Sequence, residues 1–423
     1  MKRNIIISIL SILSAISCNS MLELNPHSAV SPGSVDTKDI EALRSGMYCN
    51  VQERPGTESY IMFDLFGGEL TTKQSTNSLD LINSLSSGNN ALMEDAWQGY
   101  YKALMQVNNV FSIAQELPEG NEKNVVLGEC HYFRAYIHMC LVTRYGDVPL
   151  MRFNTDEKVS RTPAAEVWQF IIEELDMAIN LLGTPVSQNY LSSDAAKALK
   201  ARVALYTGNK AEAARLAESL IADARYGLDS YDKIFRGGHN NEVIFAFSCL
   251  TIESSIAIST LFYSYNHPNS GSYVYAPAKE VMNMYADEDN RKEISITTMD
   301  NLNFINKYPS GQKGTDPVVI SRLGEMYLIS AEAQGLANGL PRLNELRAFR
   351  GLPAVYPATE AEFIDAILQE RRLELLCEGH RWYDLVRLGK AVETLGILEY
   401  QTLMPIPEAE RKVNGNLTQN PGY

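Results

Sequence analysis

Apolar residues recur at helical spacing over most of the chain. Between Ala91 and Leu182 the pattern is strongest: Trp97, Tyr100, Tyr101, Leu104, Val107 and Phe111 mark one face of a helix. Pro118-Glu119-Gly120 interrupts it. A second helix is predicted from about Lys123 to Arg144, stopped by Tyr145-Gly146-Asp147-Val148-Pro149. A third opens at Thr162-Pro163, an N-cap followed by proline at the first helical position. Its apolar set is Val167, Trp168, Ile171, Ile172, Leu175, Ala178, Ile179 and Leu182, with acids opposite. Earlier, a first helix is expected from Asp36 or Thr37 through Ile40, Leu43 and Met47. At the far end, Glu360 to Leu388 interleaves dense charge with Phe363, Ile367, Leu373, Leu376 and Trp382, and reads as one more helix.

Two further helices, Ala195 to Tyr206 and Ala211 to Ala224, are joined by Gly208-Asn209. They carry small residues (Ala198, Ala201, Ala214, Ala217) where two helices must approach closely. Such a pair is similar to a tetratricopeptide unit of about 34 residues. A second pair is expected over 318–335 and 340–350. The periodicity fails between 226 and 312. Val243 to Phe247 reads as a short strand, and 254–277 is rich in Ser, Tyr, Asn and Gly. The expected fold is dominated by α-helix, with helical repeats at about 91–225 and 318–390, a loop-rich binding region at about 226–312 and minor β content.

The N-terminus follows a different rule. Lys2-Arg3 precede an apolar run from Ile5 to Ile16, too short to span a bilayer and the length of a signal-peptide core. Ser17-Cys18 closes it in the manner of a bacterial lipobox. Residues 1–17 are expected to be a lipoprotein signal, Cys18 the lipidated residue, 18–35 a tether and 36–423 one domain. Anchorage would then rest on the lipid alone. The formal net charge is −14, and −14 − 2 = −16 once Lys2 and Arg3 are removed. So acidic a chain repels phosphate backbones, which excludes a nucleic-acid partner and favours a neutral ligand. The five remaining cysteines cannot all pair and are expected to be mostly buried apolar residues.

Chemistry-bearing patterns are sparse. Glu370, Glu374 and Glu378 fall at i, i+4 and i+8 and invite a glycosidase reading. The interleaved Arg371, Arg372 and Arg381 would depress carboxylate pKa values, the wrong direction for a general acid, so an ion-pair network is expected. His131 and His138 are two turns apart, about 10 Å, too far to share a metal. No nucleophile, metal or cofactor constellation emerges, and no enzyme is expected. The best binding candidates are loop aromatics, Tyr263, Tyr265, Tyr273 and Tyr275 with Phe262, in a stretch too polar to be core. Exposed rings stack on sugar faces or peptide side chains.

Several blocks, in order, resemble the SusD/RagB family. Trp97-x3-Tyr101 leads to Asn108-Asn109; Gly128-Glu129-Cys130-His131-Tyr132-Phe133-Arg134-Ala135-Tyr136 is followed by Tyr145-Gly146-Asp147-Val148-Pro149-Leu150; then comes the helix from Ile320 to Ala333. The most specific block is Glu370-Arg371-Arg372-Leu373-Glu374-Leu375 with Glu378-Gly379-His380-Arg381-Trp382-Tyr383-Asp384-Leu385-Val386-Arg387. Met404-Pro405-Ile406-Pro407 and Gln419-Asn420-Pro421-Gly422-Tyr423 close the series. The resemblance implies four tetratricopeptide-like helix pairs, a lipid anchor on the outer membrane and non-catalytic capture of an oligosaccharide or oligopeptide. It implies delivery to a SusC-like TonB-dependent transporter. It also implies ligand contacts from the loop before the Trp97 helix, here offering Tyr60, Phe66, Glu69, Lys73, Gln74, Asn77 and Asn89. The residues after Cys18 lack the acidic pair of a surface-export signal, and the chain is short in the binding region. A surface hydrolase built on Glu370 and Glu374, or a scaffold binding only protein, are the rival expectations.

Overall fold

A computed structural model describes residues 36–72, 75–83, 87–236, 239–249 and 256–423. The expected lipidation site Cys18, the tether, and the candidates Lys73 and Gln74 lie outside the described residues. The frame consists of α1 (Ile40–Glu53), α2 (Ala91–Gln115), α3 (Asn121–Tyr145), α4 (Ala164–Leu181), α5 (Ser193–Tyr206), α6 (Lys210–Ile221), α7 (Leu323–Phe349) and α8 (Glu360–Glu374). Each packs on the next in sequence, α6 reaching across the intervening region to α7. This serial stacking is the tetratricopeptide-like arrangement anticipated above. A short α9 (Arg381–Arg387) follows.

The helix starts are set by side chains that accept the first free N–H groups. Asn90 accepts from Met93, Ser192 from Ala195, Asn209 from Glu212 and Thr359 from Glu362. At α4 the proline occupies the cap position, and Asp147 Oδ1 accepts the Ala164 N–H at 2.8 Å. α3 is buried on every side from Gly128 to Tyr145 and forms the axis of the frame.

Two expectations about elements are corrected. Val318–Arg322 is not helical: it is a strand, β6, paired antiparallel with β2 (Val243–Phe247). The run Val318-Val319-Ile320 is β-branched, and all five residues of each strand are buried, so sheet pairing satisfies the backbone where no amphipathic face is needed. The helix begins at Leu323 and breaks at Gly335, whose φ of 70° gives the two arms of the predicted pair. Likewise Glu360 to Leu388 is not one helix. It ends at Glu374, and Cys377 (φ 57°) and Gly379 (φ 74°) turn the chain before α9. Glu378 therefore lies beyond the helix that carries Glu370 and Glu374.

The loop-rich region holds the remaining strands. β1 (Leu70–Thr71) pairs with β3 (Ala276–Pro277), and β4 (Ile296–Met299) forms a hairpin with β5 (Leu302–Ile305). A buried ion-pair cluster fastens this region to the frame. Arg291 and Lys307 come from the loop side; Glu370 and Glu374 come from α8, and Arg322 and Glu378 flank it. Arg291 contacts Glu370 at 2.7 Å and Glu374 at 2.8 Å, Arg350 contacts Glu374 at 2.8 Å, and Lys307 contacts Glu378 at 2.8 Å. Arg322 reaches Glu242, Glu374 and Glu378. Burial alone would raise the Glu374 carboxyl; the guanidiniums of Arg350, Arg322 and Arg291 outweigh it and hold the group well below its ordinary range. The expected ion-pair role of this block is what the fold displays. Trp382, fully buried against Phe63 and Phe66, is the core anchor expected of it.

Candidate functional site

The two segments singled out as binding loops are far apart in sequence and adjacent in space. The β1–β3 pairing joins them. Thr72 Oγ1 donates to the Val274 carbonyl at 2.6 Å, and the hydroxyls of Ser78 and Tyr275 share a hydrogen bond of 2.8 Å. Asn90, the cap of α2, donates through Nδ2 to the Asn77 carbonyl at 2.9 Å, so the loop is also fixed to the frame.

Within this face the tyrosines separate into two classes. Tyr263 and Tyr275 are fully buried, as is Phe262, which corrects the expectation that these rings stand in a surface loop. Tyr263 stacks on His267 at 4.3 Å between centroids and on Phe304 at 5.7 Å, and its hydroxyl donates to Asn306 Oδ1 at 2.7 Å. The loop folds back over the β4–β5 hairpin, where Asn306 receives the Tyr263 hydroxyl, while the Tyr275 hydroxyl pairs with Ser78 of the earlier loop, and the polar composition of the segment hides that. Tyr265 and Tyr273 remain available. Tyr265 is 80% exposed. Tyr273 is half-buried, tilted over Phe304 at 5.3 Å, with its hydroxyl donating to the Asn303 carbonyl at 3.1 Å. Its φ of 49° lies in the left-handed region, as does that of Ser270 at 44°. Non-glycine residues are held there only when surrounding contacts enforce it, and such strain concentrates at binding sites.

Two candidates from the earlier loop are also corrected. Phe66 is buried against Trp382. Glu69 is buried and paired with Arg372 at 2.7 Å and Arg381 at 3.2 Å. Both face the interior because the chain turns inward before β1. Tyr60 is half-buried with its hydroxyl committed to the Gln52 carbonyl, and Asn89 is exposed.

The sequence reading missed the surroundings of Tyr265. A groove of about 570 Å³ runs between Pro268–Ser270 and Pro309–Pro317, with Phe235 and Arg236 at its base and Gln312 and Lys313 at its rim. Asp316 is held there by the Ser310 N–H and hydroxyl, and burial raises its carboxyl above the ordinary value. The Pro-Asn-Ser-Gly turn at 268–271 was the available signal. Glu370, the acid considered for hydrolysis, lies outside this face, buried and paired with Arg291 and Arg347. His131 contacts Glu174 and His138 the Arg134 carbonyl, and no group of three metal-ligating side chains occurs among the described residues.

Residues 259–401 match the profile described as the SusD family, and residues 21–205 match one described as starch-binding, associating with outer membrane. A SusD-like protein of Formosa agariphila is 26% identical over 461 aligned residues, covering 90% of this chain and 90% of its own. Among solved structures, a SusD superfamily protein from Parabacteroides distasonis superposes with a TM-score of 0.81 at 22% identity, over 93% of this chain and 100% of that one. Surface glycan-binding protein A from Bacteroides thetaiotaomicron, in complex with laminarihexaose, superposes with a TM-score of 0.80 at 19% identity, over 92% and 100%. No helix among the described residues is long and apolar enough to cross a membrane. The ordered motifs, the profiles matched toward both ends and the shared fold converge: the chain belongs to the SusD/RagB family.

Proposed function

We propose that the chain captures an oligosaccharide on the face formed by Tyr265, Tyr273 and the adjoining groove. It holds the ligand uncleaved and presents it to a SusC-like TonB-dependent transporter, while a lipid on Cys18 keeps it at the outer membrane. The observation that carries this reading is the pairing of β1 with β3. It ties the loop that carries Tyr265 and Tyr273 to the earlier loop, and through Asn77 and Asn90 to a frame pinned by buried ion pairs. Rings that remain accessible on a rigid support stack on sugars at low entropic cost. The glycan named with the Bacteroides thetaiotaomicron structure supports a carbohydrate over a peptide. Non-catalytic capture is supported by the burial and pairing of Glu370 and Glu374, which leaves the hydrolase reading without an accessible acid.

Isothermal titration of the mature chain against a panel that includes laminarihexaose and starch oligosaccharides tests the reading. Binding of a glycan, weakened in Tyr265→Ala and Tyr273→Ala, is the expected result. A panel without any binder, or turnover of a polymer abolished by Glu370→Gln, would overturn it. Release of the chain from membranes in Cys18→Ala checks the anchor, and co-purification of a TonB-dependent transporter checks the partner.

A further inference from the structure

A second cavity lies away from the glycan face, where the frame meets the loop-rich region. It is a narrow crevice of about 70 Å³ whose walls include Ser59, Tyr136, Arg144, Tyr206, Val319 and His380. That volume admits about five water-sized spheres and is too small for a sugar ring. Neither Tyr265 nor Tyr273 lines it.

Charge singles this crevice out. Arg202 on its wall is paired with Glu325, and Glu378 with Arg322 and Lys307. His380 is neutral, because burial holds its pKa well below the ordinary histidine value. Arg144 is different. It is buried, its Nη1 donates to the Cys140 carbonyl at 2.9 Å, and its Nη2 donates to the Ser59 carbonyl at 2.8 Å. The rings of Phe63 and Tyr100 cover it at 4.5 and 5.2 Å. No carboxylate pairs with it among the described residues. By contrast Arg202, Arg291, Arg322, Arg350, Arg371 and Arg387 each contact one. Tyr100 does not supply the missing charge, since burial keeps its hydroxyl protonated far above neutral pH. Carbonyl dipoles and ring faces offset part of the cost of a buried cation, but a buried charge is normally matched by an opposite one. A guanidinium carries five N–H groups, and these contacts use two.

We propose that the crevice binds a small monovalent anion of halide size, taken up by the N–H groups of Arg144 that remain and by hydroxyl donors on the walls, Tyr136 and Tyr206. The anion would neutralise the charge and bridge α3, which carries Arg144 and Tyr136, to α5, which carries Tyr206. It would thereby stiffen the contact between these two helices of the frame. Crystals of the mature chain soaked in sodium bromide provide the test. An anomalous peak is expected in the crevice, within hydrogen-bonding reach of the Arg144 guanidinium, and it should vanish in Arg144→Met. A saturable rise in melting temperature in chloride over gluconate at equal ionic strength should accompany it. Should Arg144→Met fail to fold, Arg144→Lys and the wild-type soak still decide. A crevice without anomalous signal, in crystals whose surface sites carry bromide, overturns the proposal and leaves carbonyls and rings as the sole partners of Arg144.

Discussion

Tyr263 and Tyr273 are ten residues apart in the same polar segment, yet their roles diverge. Tyr263 is enclosed between His267 and Phe304 and hydrogen-bonded to Asn306, so its truncation acts on stability. Tyr263→Ala should cost about 3 kcal/mol in urea denaturation, and Tyr263→Phe about 1 kcal/mol for the lost hydrogen bond. In Tyr263→Phe, glycan affinity should be unchanged. Tyr273 keeps part of its ring in solvent, and Tyr273→Ala should weaken binding of an identified glycan about tenfold, roughly 1.4 kcal/mol by titration, with little change in melting temperature. Equal affinity in the Tyr273 variant would move the site elsewhere on the face. The sequence could not separate the two tyrosines. Each has a serine on one side and an apolar residue on the other (Phe262 and Ser264, Ser272 and Val274), and only the fold-back onto β4–β5 decides which ring meets water.

At the scale of elements, the frame was legible because helix periodicity and capping are local. In the loop-rich region the strand Val243–Phe247 was legible and the rest was not, because its order comes from partners distant in sequence. α8 carries both kinds of information. Its apolar residues Phe363, Ile367 and Leu373 follow the helical repeat and are buried, whereas its acids acquire meaning only through Arg291, Arg322 and Arg350. Glu374→Gln should destabilise the protein by about 3–5 kcal/mol, since it leaves three buried guanidiniums short of a counter-charge. Hydrogen exchange should rise first in 285–310, the segment fastened by Arg291 and Lys307. A uniform increase across the frame would contradict that role. α1 and α2 show the same dependence in packing. A Cβ on Gly99 would sit 2.0 Å from the Arg54 carbonyl oxygen, so Gly99→Ala should cost about 2 kcal/mol by forcing the end of α1 away. Gly46→Ala, on an open face of α1, should be neutral or slightly stabilising.

Across the whole molecule, buried titratable groups tie stability to pH. Burial lowers the pKa of His138 to about 4, while an unfolded histidine titrates near 6.5. As pH falls from about 6.5 to 4, the unfolded state takes up a proton that the native state refuses, so stability is lost by up to about 3 kcal/mol. His380 shifts in the same direction. Glu374 and Glu378 are held below their ordinary values. Their contribution is present above about pH 4.5 and disappears as pH falls through their native pKa values. Asp64 acts in the opposite direction, since burial raises its carboxyl to about 8 and the native state gains a proton as pH falls. Urea midpoints measured at pH 7, 5.5 and 4.5 should therefore fall less in His138→Gln than in the wild type, and identical pH dependence in the two would contradict the neutral burial of His138.

The sequence alone determined the helical frame, the core anchors such as Trp382 and the family, because each is written in short-range spacing and in blocks a single element can satisfy. It also singled out the two stretches of chain that the β1–β3 pairing brings together. Tertiary structure decided which of their residues reach solvent, why Val318–Arg322 is a strand, and where a buried arginine has no carboxylate partner among the described residues. These outcomes depend on burial and on the matching of charges and hydrogen bonds between segments as far apart as Ser78 and Tyr275. No local pattern encodes them.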